Sequence, residues 1–440
     1  MYRTVDDQLS FWAAQDQRKV LVMRGARQVG KTYAVRKLGT GFKYFAELNF
    51  EETPQAKSFF EGALTAQPLL EKLAVFTRTP MIPGQTLLFL DEIQACPKAL
   101  TALRYFYEQC PALHVIAAGS LLEFALNEVP SLGVGRLCSC FMYPLTFVEF
   151  LRAIGEKKLL ELLNGADFTH PLEEPFHLRL TEHLKTYLMT GGMPAAVAAY
   201  VRHHDLIRVM GELDDLLLTY QDDFAKYRQR VPTLRLQATF LSVAAQAGGK
   251  FVLARVDRNL KAAAISQALE LLVKAGLVLK TLRTPAVGLP LGAGADHSFF
   301  KALPFDVGLH QRLLGLDLRE LLPLSVAEFA NRGSLSEVYT ALQIASCTSS
   351  KHRPELFYWQ REARNSQAEV DFILQRGNTI LPVEVKCGTR GAMKSLRLFM
   401  QEKQLPVGVR VSSENFGTLP DVRILPLYAV HRLFDPNLTI

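Results

Sequence analysis

The sequence predicts a multidomain α/β chain, and three patterns carry that expectation. A short apolar run feeds a glycine-rich turn that opens a helix. A second, continuous apolar run ends in two adjacent acids, Asp91 and Glu92. Near the C-terminus, two neighbouring strand-like segments carry Asp371 and the triplet Glu384-Val385-Lys386.

The first element is the strand at 20–23, Val-Leu-Val-Met. It leads into Gly25-Ala26-Arg27-Gln28-Val29-Gly30-Lys31-Thr32, a complete Walker A loop, and then into a helix at 33–38. The backbone N–H groups of such a turn wrap phosphate oxygens. Lys31 is placed to reach the β- and γ-phosphates, and the Thr32 hydroxyl to ligate Mg2+. ATP and Mg2+ are therefore the expected ligands, with the whole loop as their cradle. The competing reading is a plain surface glycine turn, which the strand–loop–helix context disfavours.

Residues 42–50 read as a second strand and 86–90 as a third. The unbroken apolar run of the third marks a central parallel strand buried on both faces. Asp91 at its end is expected to hold Mg2+, directly or through water. Glu92 is expected to orient and deprotonate the attacking water. A passive nucleotide binder needs no such base, so hydrolysis is the expected outcome. A fourth strand at 114–118 ends in Gly119-Ser120, which makes Ser120 a candidate sensor of the γ-phosphate, or a helix N-cap. Asn49, at the end of the second strand, is expected to restrain Glu92 until the site is filled.

Arg136 follows the glycine-bearing stretch 132–135. It is a candidate arginine finger, acting in its own site or in a neighbour's, a role worth about 10³–10⁵ in rate. A finger in trans would imply a homo-oligomer. The plain alternative is a structural arginine bound to loop carbonyls.

From 151 to 230 the apolar spacing is helical, as in Leu151, Leu159, Leu160, Leu162 and Leu163, and predicts a helical lid following an ATPase core at 1–150. Residues 231–302 change rhythm. A helix at 253–260, a second at 264–275, a stop at Gly276 and a strand at 277–282 give a winged-helix order. Such a module lays its second helix in a DNA major groove or docks a protein. Glu270 on the exposed helix face weakens the DNA reading.

In the last stretch, 303–440, Glu337 lies on a helix at 334–346, and strands are expected at 356–359, 369–374 and 381–386. Alternation along a strand puts Glu384 and Lys386 on one face, and Asp371 across the hairpin can share it. Glu337, Asp371 and Glu384 are the candidate metal ligands. Two carboxylates and an ammonium around Mg2+ are what phosphodiester cleavage needs. Cross-strand salt bridges need the same residue types.

Composition bounds the rest. With 21% charged and 49% hydrophobic residues, the 440-residue chain has cores to bury and is not a disordered polymer. The net charge of +7 is compatible with nucleic acid and equally with a solvated basic surface. Six cysteines without a C-x-x-C pair suit a reducing, cytoplasmic setting. The N-terminus has no apolar secretory core, and the soft stretch 187–201 is too short to span a bilayer. The expected partners are ATP, then DNA or another protein, and not a membrane.

Several segments carry a family resemblance. The Walker loop, Leu90-Asp91-Glu92-Ile93-Gln94, Gly119-Ser120, Gly135-Arg136, Tyr143-Pro144-Leu145-Thr146-Phe147-Val148-Glu149-Phe150, Gly191-Gly192-Met193-Pro194 and Phe305-Asp306-Val307-Gly308-Leu309 together resemble the AAA-type prokaryotic ATPases. In that family an N-terminal ATPase domain precedes a C-terminal domain of unknown function, and the similarity runs almost end to end. Ala26 stands where the family usually has proline, which leaves phosphate binding by the backbone intact. The set Glu337, Asp371, Glu384 and Lys386 resembles the PD-(D/E)xK restriction-endonuclease-like fold. That likeness implies a nuclease-like C-terminal domain, which either cleaves DNA or serves as a scaffold in a nucleotide-gated protein-binding switch.

Overall fold

The computed structural model describes residues 1–62, 64–119, 122–123, 135–317, 321–330, 334–348, 350–362, 368–386 and 393–440. They form two compact units. The first is Met1–Tyr143 with the short pieces Lys274–Gly276 and Ser349–Arg353. The second is Pro144–Val273, Leu277–Thr348 and Pro354–Ile440.

The first unit is a parallel-sheet P-loop ATPase fold. Its strands are β1 (Val20–Arg24), β2 (Tyr44–Asn49), β3 (Thr86–Asp91), β4 (His114–Ala118) and β5 (Leu137–Phe141), in the order β2-β3-β4-β1-β5. Every pairing is parallel. All six residues of β3 are buried, the outcome its unbroken apolar run predicts for a strand covered on both faces. The helices Ala66–Thr77 and Pro97–Gln109 cover one face, with Leu69, Leu73, Leu100 and Leu103 in a core shared with Val22, Leu48 and Leu88. Because the strands run parallel, their carboxyl ends share one edge. The glycine loop, Asn49, Asp91 and Gly119 therefore gather there.

The second unit holds an eight-stranded mixed sheet. Its strands are β6 (Val278–Arg283), β7 (Asp296–Pro304), β8 (Leu356–Gln360), β9 (Glu369–Arg376), β10 (Thr379–Val385), β11 (Gly408–Ser412), β12 (Gly417–Thr418) and β13 (Val422–Pro426). Their order is β12-β13-β11-β10-β9-β8-β6-β7. The helix Leu335–Cys347 is buried along nearly its whole length, and further helices come from the stretch between Phe147 and Ala245 and from Ala262–Lys274, Val307–Leu313, Val326–Ala330 and Lys394–Lys403.

Three sequence signatures far apart in the chain meet in this unit. Thr146 and Glu149 form a reciprocal cap at the start of the helix Phe147–Ala153. The Leu145 N–H donates to Gly192 O at 2.6 Å. The Gly192 N–H in turn donates to Asp306 Oδ2 at 2.7 Å, while Asp306 Oδ1 accepts from Leu309 N at 3.0 Å. The backbones approach so closely that a Cβ on Gly308 would lie 2.7 Å from Thr190 O. Gly191-Gly192-Met193 forms the tight turn between the helices Glu174–Thr190 and Pro194–His203.

The stretch expected to form a winged helix departs from its prediction. The helix expected at 253–260 is a short 3-10 turn, Leu253–Arg255, and the helix preceding Ala262–Lys274 is Thr233–Ala245. The β6–β7 hairpin is not a free wing. β6 pairs with β7 antiparallel on one edge and with β8 parallel on the other. The expected boundary between 302 and 303 falls inside β7, whose last five residues are all buried. Burial of that strand end joins the hairpin to the C-terminal sheet. Among the described residues no helix is long and apolar enough to cross a membrane.

Candidate functional site

The glycine loop is built by its backbone. Gly25 (φ 134°), Gln28 (φ 60°) and Gly30 (φ 99°) lie in the positive-φ region, and a side chain on Gly25 would collide with the Met142 carbonyl. Gly30 starts the helix Lys31–Gly39 without a side-chain cap, so the helix N-terminus keeps its N–H groups for a ligand. Lys31 Nζ donates to Gly25 O at 2.9 Å and Ala26 O at 2.7 Å. Burial pulls its ammonium down to about 8, against the opposing pull of Glu92 and Asp91. A phosphate would replace neutral carbonyls with charge and favour the ammonium.

Asp91 ends β3 opposite this loop. Its Oδ2 accepts from Thr32 Oγ1 at 2.9 Å and its Oδ1 from Glu92 N at 3.0 Å. Burial pushes its carboxyl up, and the Thr32 bond offsets part of that. A hydroxyl and a carboxylate in direct contact, both next to a phosphate cradle, form a donor set that fits Mg2+. Glu92 sits in the left-handed region at φ 48°, a strained backbone for a residue with a side chain. Gln94, and not the expected Asn49, bonds to it: Gln94 Nε2 donates to Glu92 Oε2 at 2.6 Å. Asn49 Oδ1 instead accepts from the N–H groups of Glu51 and Glu52, closing the turn after β2. The sequence marked Gln94 only as the last residue of the Leu90–Gln94 segment and gave it no role of its own.

Sequence reasoning missed Arg3. Its guanidinium is buried and donates to Val29 O at 2.9 Å and Tyr143 O at 2.6 Å, bracing the loop from behind. Arg136 does not reach the loop. β1 and β5 pair in register from Val20↔Leu137 to Arg24↔Phe141, so Arg136 lies at the opposite edge of the sheet from Gly25. Arg136 is thus six residue steps from Gly25 along the strands, about 20 Å at roughly 3.3 Å per residue. Arg136 pairs there with Glu108 at 2.8 Å. The expectation of a finger acting in its own site is corrected by this parallel register. Ser120 lies outside the described residues.

In the second unit, the register Val383↔Phe372 places Glu384 opposite Asp371 on one face of the sheet. Glu337 joins them from the helix Leu335–Cys347. The Lys386 ammonium lies 3.4 Å from Glu384 Oε1, and its side chain is about half exposed. The structure adds two residues that the sequence did not mark, Lys301 on β7 and Glu369 on β9. Lys301 is fully buried. Its Nζ donates to Glu337 Oε1 at 2.7 Å and lies 2.6 Å from Glu369 Oε1 and 3.7 Å from Asp371 Oδ1. Burial alone would lower the lysine, but Glu337, Asp371 and Glu369 outweigh it and hold the ammonium charged. Burial pushes Glu337 up to about 7, partly offset by Lys301, and pushes Glu384 up to about 7 with Asp371 adding to the rise.

Comparison with known proteins follows this division. Residues 17–151 match the model of an AAA domain. Residues 181–320 match a Domain of unknown function (DUF8612), and residues 332–429 another (DUF4143). No curated protein matches the chain. Among solved structures, the Walker-type ATPase PABY2304 of Pyrococcus abyssi is 16% identical, with a TM-score of 0.46 over 71% of this chain and 95% of that one. The Aeropyrum pernix ORC1 protein, solved in complex with DNA, is 15% identical, with a TM-score of 0.31 over 74% of this chain and 95% of that one. The chain carries an N-terminal AAA domain followed by two domains of unknown function, an order that supports an AAA-type ATPase family.

Proposed function

We propose that the first unit hydrolyses ATP with Mg2+, and that this cycle drives the second unit. The observation that carries the reading is the direct Thr32–Asp91 hydrogen bond beside the Lys31 cradle. Thr32 and Asp91 would hold Mg2+, which neutralises charge on the phosphates when bound. Lys31 exchanges the carbonyls of Gly25 and Ala26 for phosphate oxygens. Glu92 accepts the proton of the water that attacks the γ-phosphorus, as the bond to the ADP oxygen breaks. The test is phosphate release: Lys31→Ala and Glu92→Gln should each abolish turnover, with Glu92→Gln still retaining ATP. Unchanged turnover in either variant would sink the proposal.

For the target, the first reading is nucleic acid, with which the net charge of +7 is compatible. The second reading is a nucleotide-gated protein-binding switch with a non-cleaving nuclease-like scaffold. It is favoured by Lys301, an ammonium already lodged among the acids that would otherwise serve cleavage. Salt dependence separates the two. Affinity for duplex DNA that falls steeply between about 50 and 200 mM salt supports the first, and no binding at low salt supports the second.

A further inference from the structure

We propose that Lys301 is the resident cation of the Glu337–Glu369–Asp371–Glu384 cluster, holding the place of a divalent metal, so that the second unit takes no catalytic metal there. The inference deepens the scaffold reading of this unit and stands independently of the ATPase reading.

The geometry is that of a filled site. Lys301 enters from β7 and its side chain has no exposed surface. Its ammonium sits at hydrogen-bonding distance from two carboxylates, 2.7 Å from Glu337 and 2.6 Å from Glu369, with Asp371 at 3.7 Å. Charge-assisted N–H···O bonds have this length, about 2.7–2.9 Å. Mg2+ demands oxygens at about 2.0–2.1 Å in a near-octahedral set, and the Glu337 and Glu369 oxygens that face this position are already taken by the buried ammonium. Like charges at such range repel strongly in a buried setting.

Other carboxylate oxygens of the cluster are occupied from within the fold as well. Asp371 Oδ2 accepts from Val385 N at 2.8 Å, so both oxygens of Asp371 are engaged. Glu384 Oε1 faces Lys386. Glu384 Oε2 is buried and, among the described residues, has no hydrogen-bond partner. Among the described residues no group of three or more His, Cys, Asp or Glu side chains is arranged to hold a metal ion. The residues that resemble a nuclease metal site therefore do not fit the metal. Lys301 supplies inside the fold the positive charge that these acids need to be packed together.

The test is Mn2+ binding by the full chain without nucleotide, read as free Mn2+ by electron paramagnetic resonance. Wild type and the isosteric Asp371→Asn should bind the same amount up to millimolar Mn2+, since comparing the two cancels binding elsewhere. One additional Mn2+ held by wild type and lost in Asp371→Asn would overturn the proposal. Lys301→Ala should then gain Mn2+ binding at least tenfold tighter than wild type, and Lys301→Ala/Asp371→Asn should lose it. A folded Lys301→Ala without that gain would show that Lys301 does not hold a metal's place. Should Lys301→Ala fail to fold, the wild-type comparison decides alone.

Discussion

Gln94 donates from Nε2 to Glu92 Oε2 at 2.6 Å, while its amide oxygen is buried against Gly119. Among the described residues that oxygen has no hydrogen-bond partner. The residue thus grips the proposed base with one end and offers an unused acceptor at the carboxyl edge of the sheet with the other. Gln94→Ala should lower kcat for ATP hydrolysis by about tenfold, a modest part of what a general base contributes. KM for ATP should change much less, because Gln94 orients the base and not the phosphates. Gly119→Ala should mimic the effect, since its methyl group would strike the Gln94 amide. Steady-state phosphate release measures both, and an unchanged kcat in Gln94→Ala would rule out the positioning role.

Arg3 braces the glycine loop through Val29 O and Tyr143 O. Losing hydrogen bonds from a charged group costs about 1.5–3 kcal/mol. Arg3→Ala should therefore weaken ATP binding about tenfold, with the rest of the unit still folded. Fluorescent-nucleotide titration with a circular dichroism melt checks both halves of that statement.

Arg136 is paired with Glu108 at the edge of the sheet away from the loop. Arg136→Ala should leave turnover within about twofold in dilute protein, because a half-exposed ion pair contributes little. Assays across a range of protein concentrations extend the test to a second copy of the chain. A loss that appears only at high concentration would assign Arg136 to a neighbour's site.

Asp306 gives the second unit a defined acid response. Burial pushes its carboxyl up to about 6, against bonds from Leu309, Gly192 and Gly308 that lower it. The unfolded chain ionises it near 3.9. The folded state therefore keeps the proton between about pH 4 and 6, and the stability that this proton confers is complete below pH 4. It is lost as pH rises through about 6, by on the order of 3 kcal/mol. Asp306→Asn should flatten that slope, although its amide loses one acceptor toward Gly192. Urea unfolding at pH 4.5 and pH 7 should show a smaller difference for the variant than for wild type.

The glycine loop, the acids ending β3 and the facing pair Asp371 and Glu384 were all legible in the chain. Each rests on a local rule: φ freedom at glycine, apolar continuity for a strand buried on both faces, and alternation along a strand. Those rules act within a few residues, so sequence alone determined the parallel core and the residues at its carboxyl edge. Only tertiary structure decided what those residues touch. β1–β5 register sent Arg136 to the far edge, and the pairing of β6 with β8 drew a hairpin into the C-terminal sheet. Packing set Lys301, an unremarkable residue of β7, among acids from a helix and from β9. A buried charge is tolerated only when opposite charges surround it, and those partners are chosen by the fold, not by neighbours in sequence.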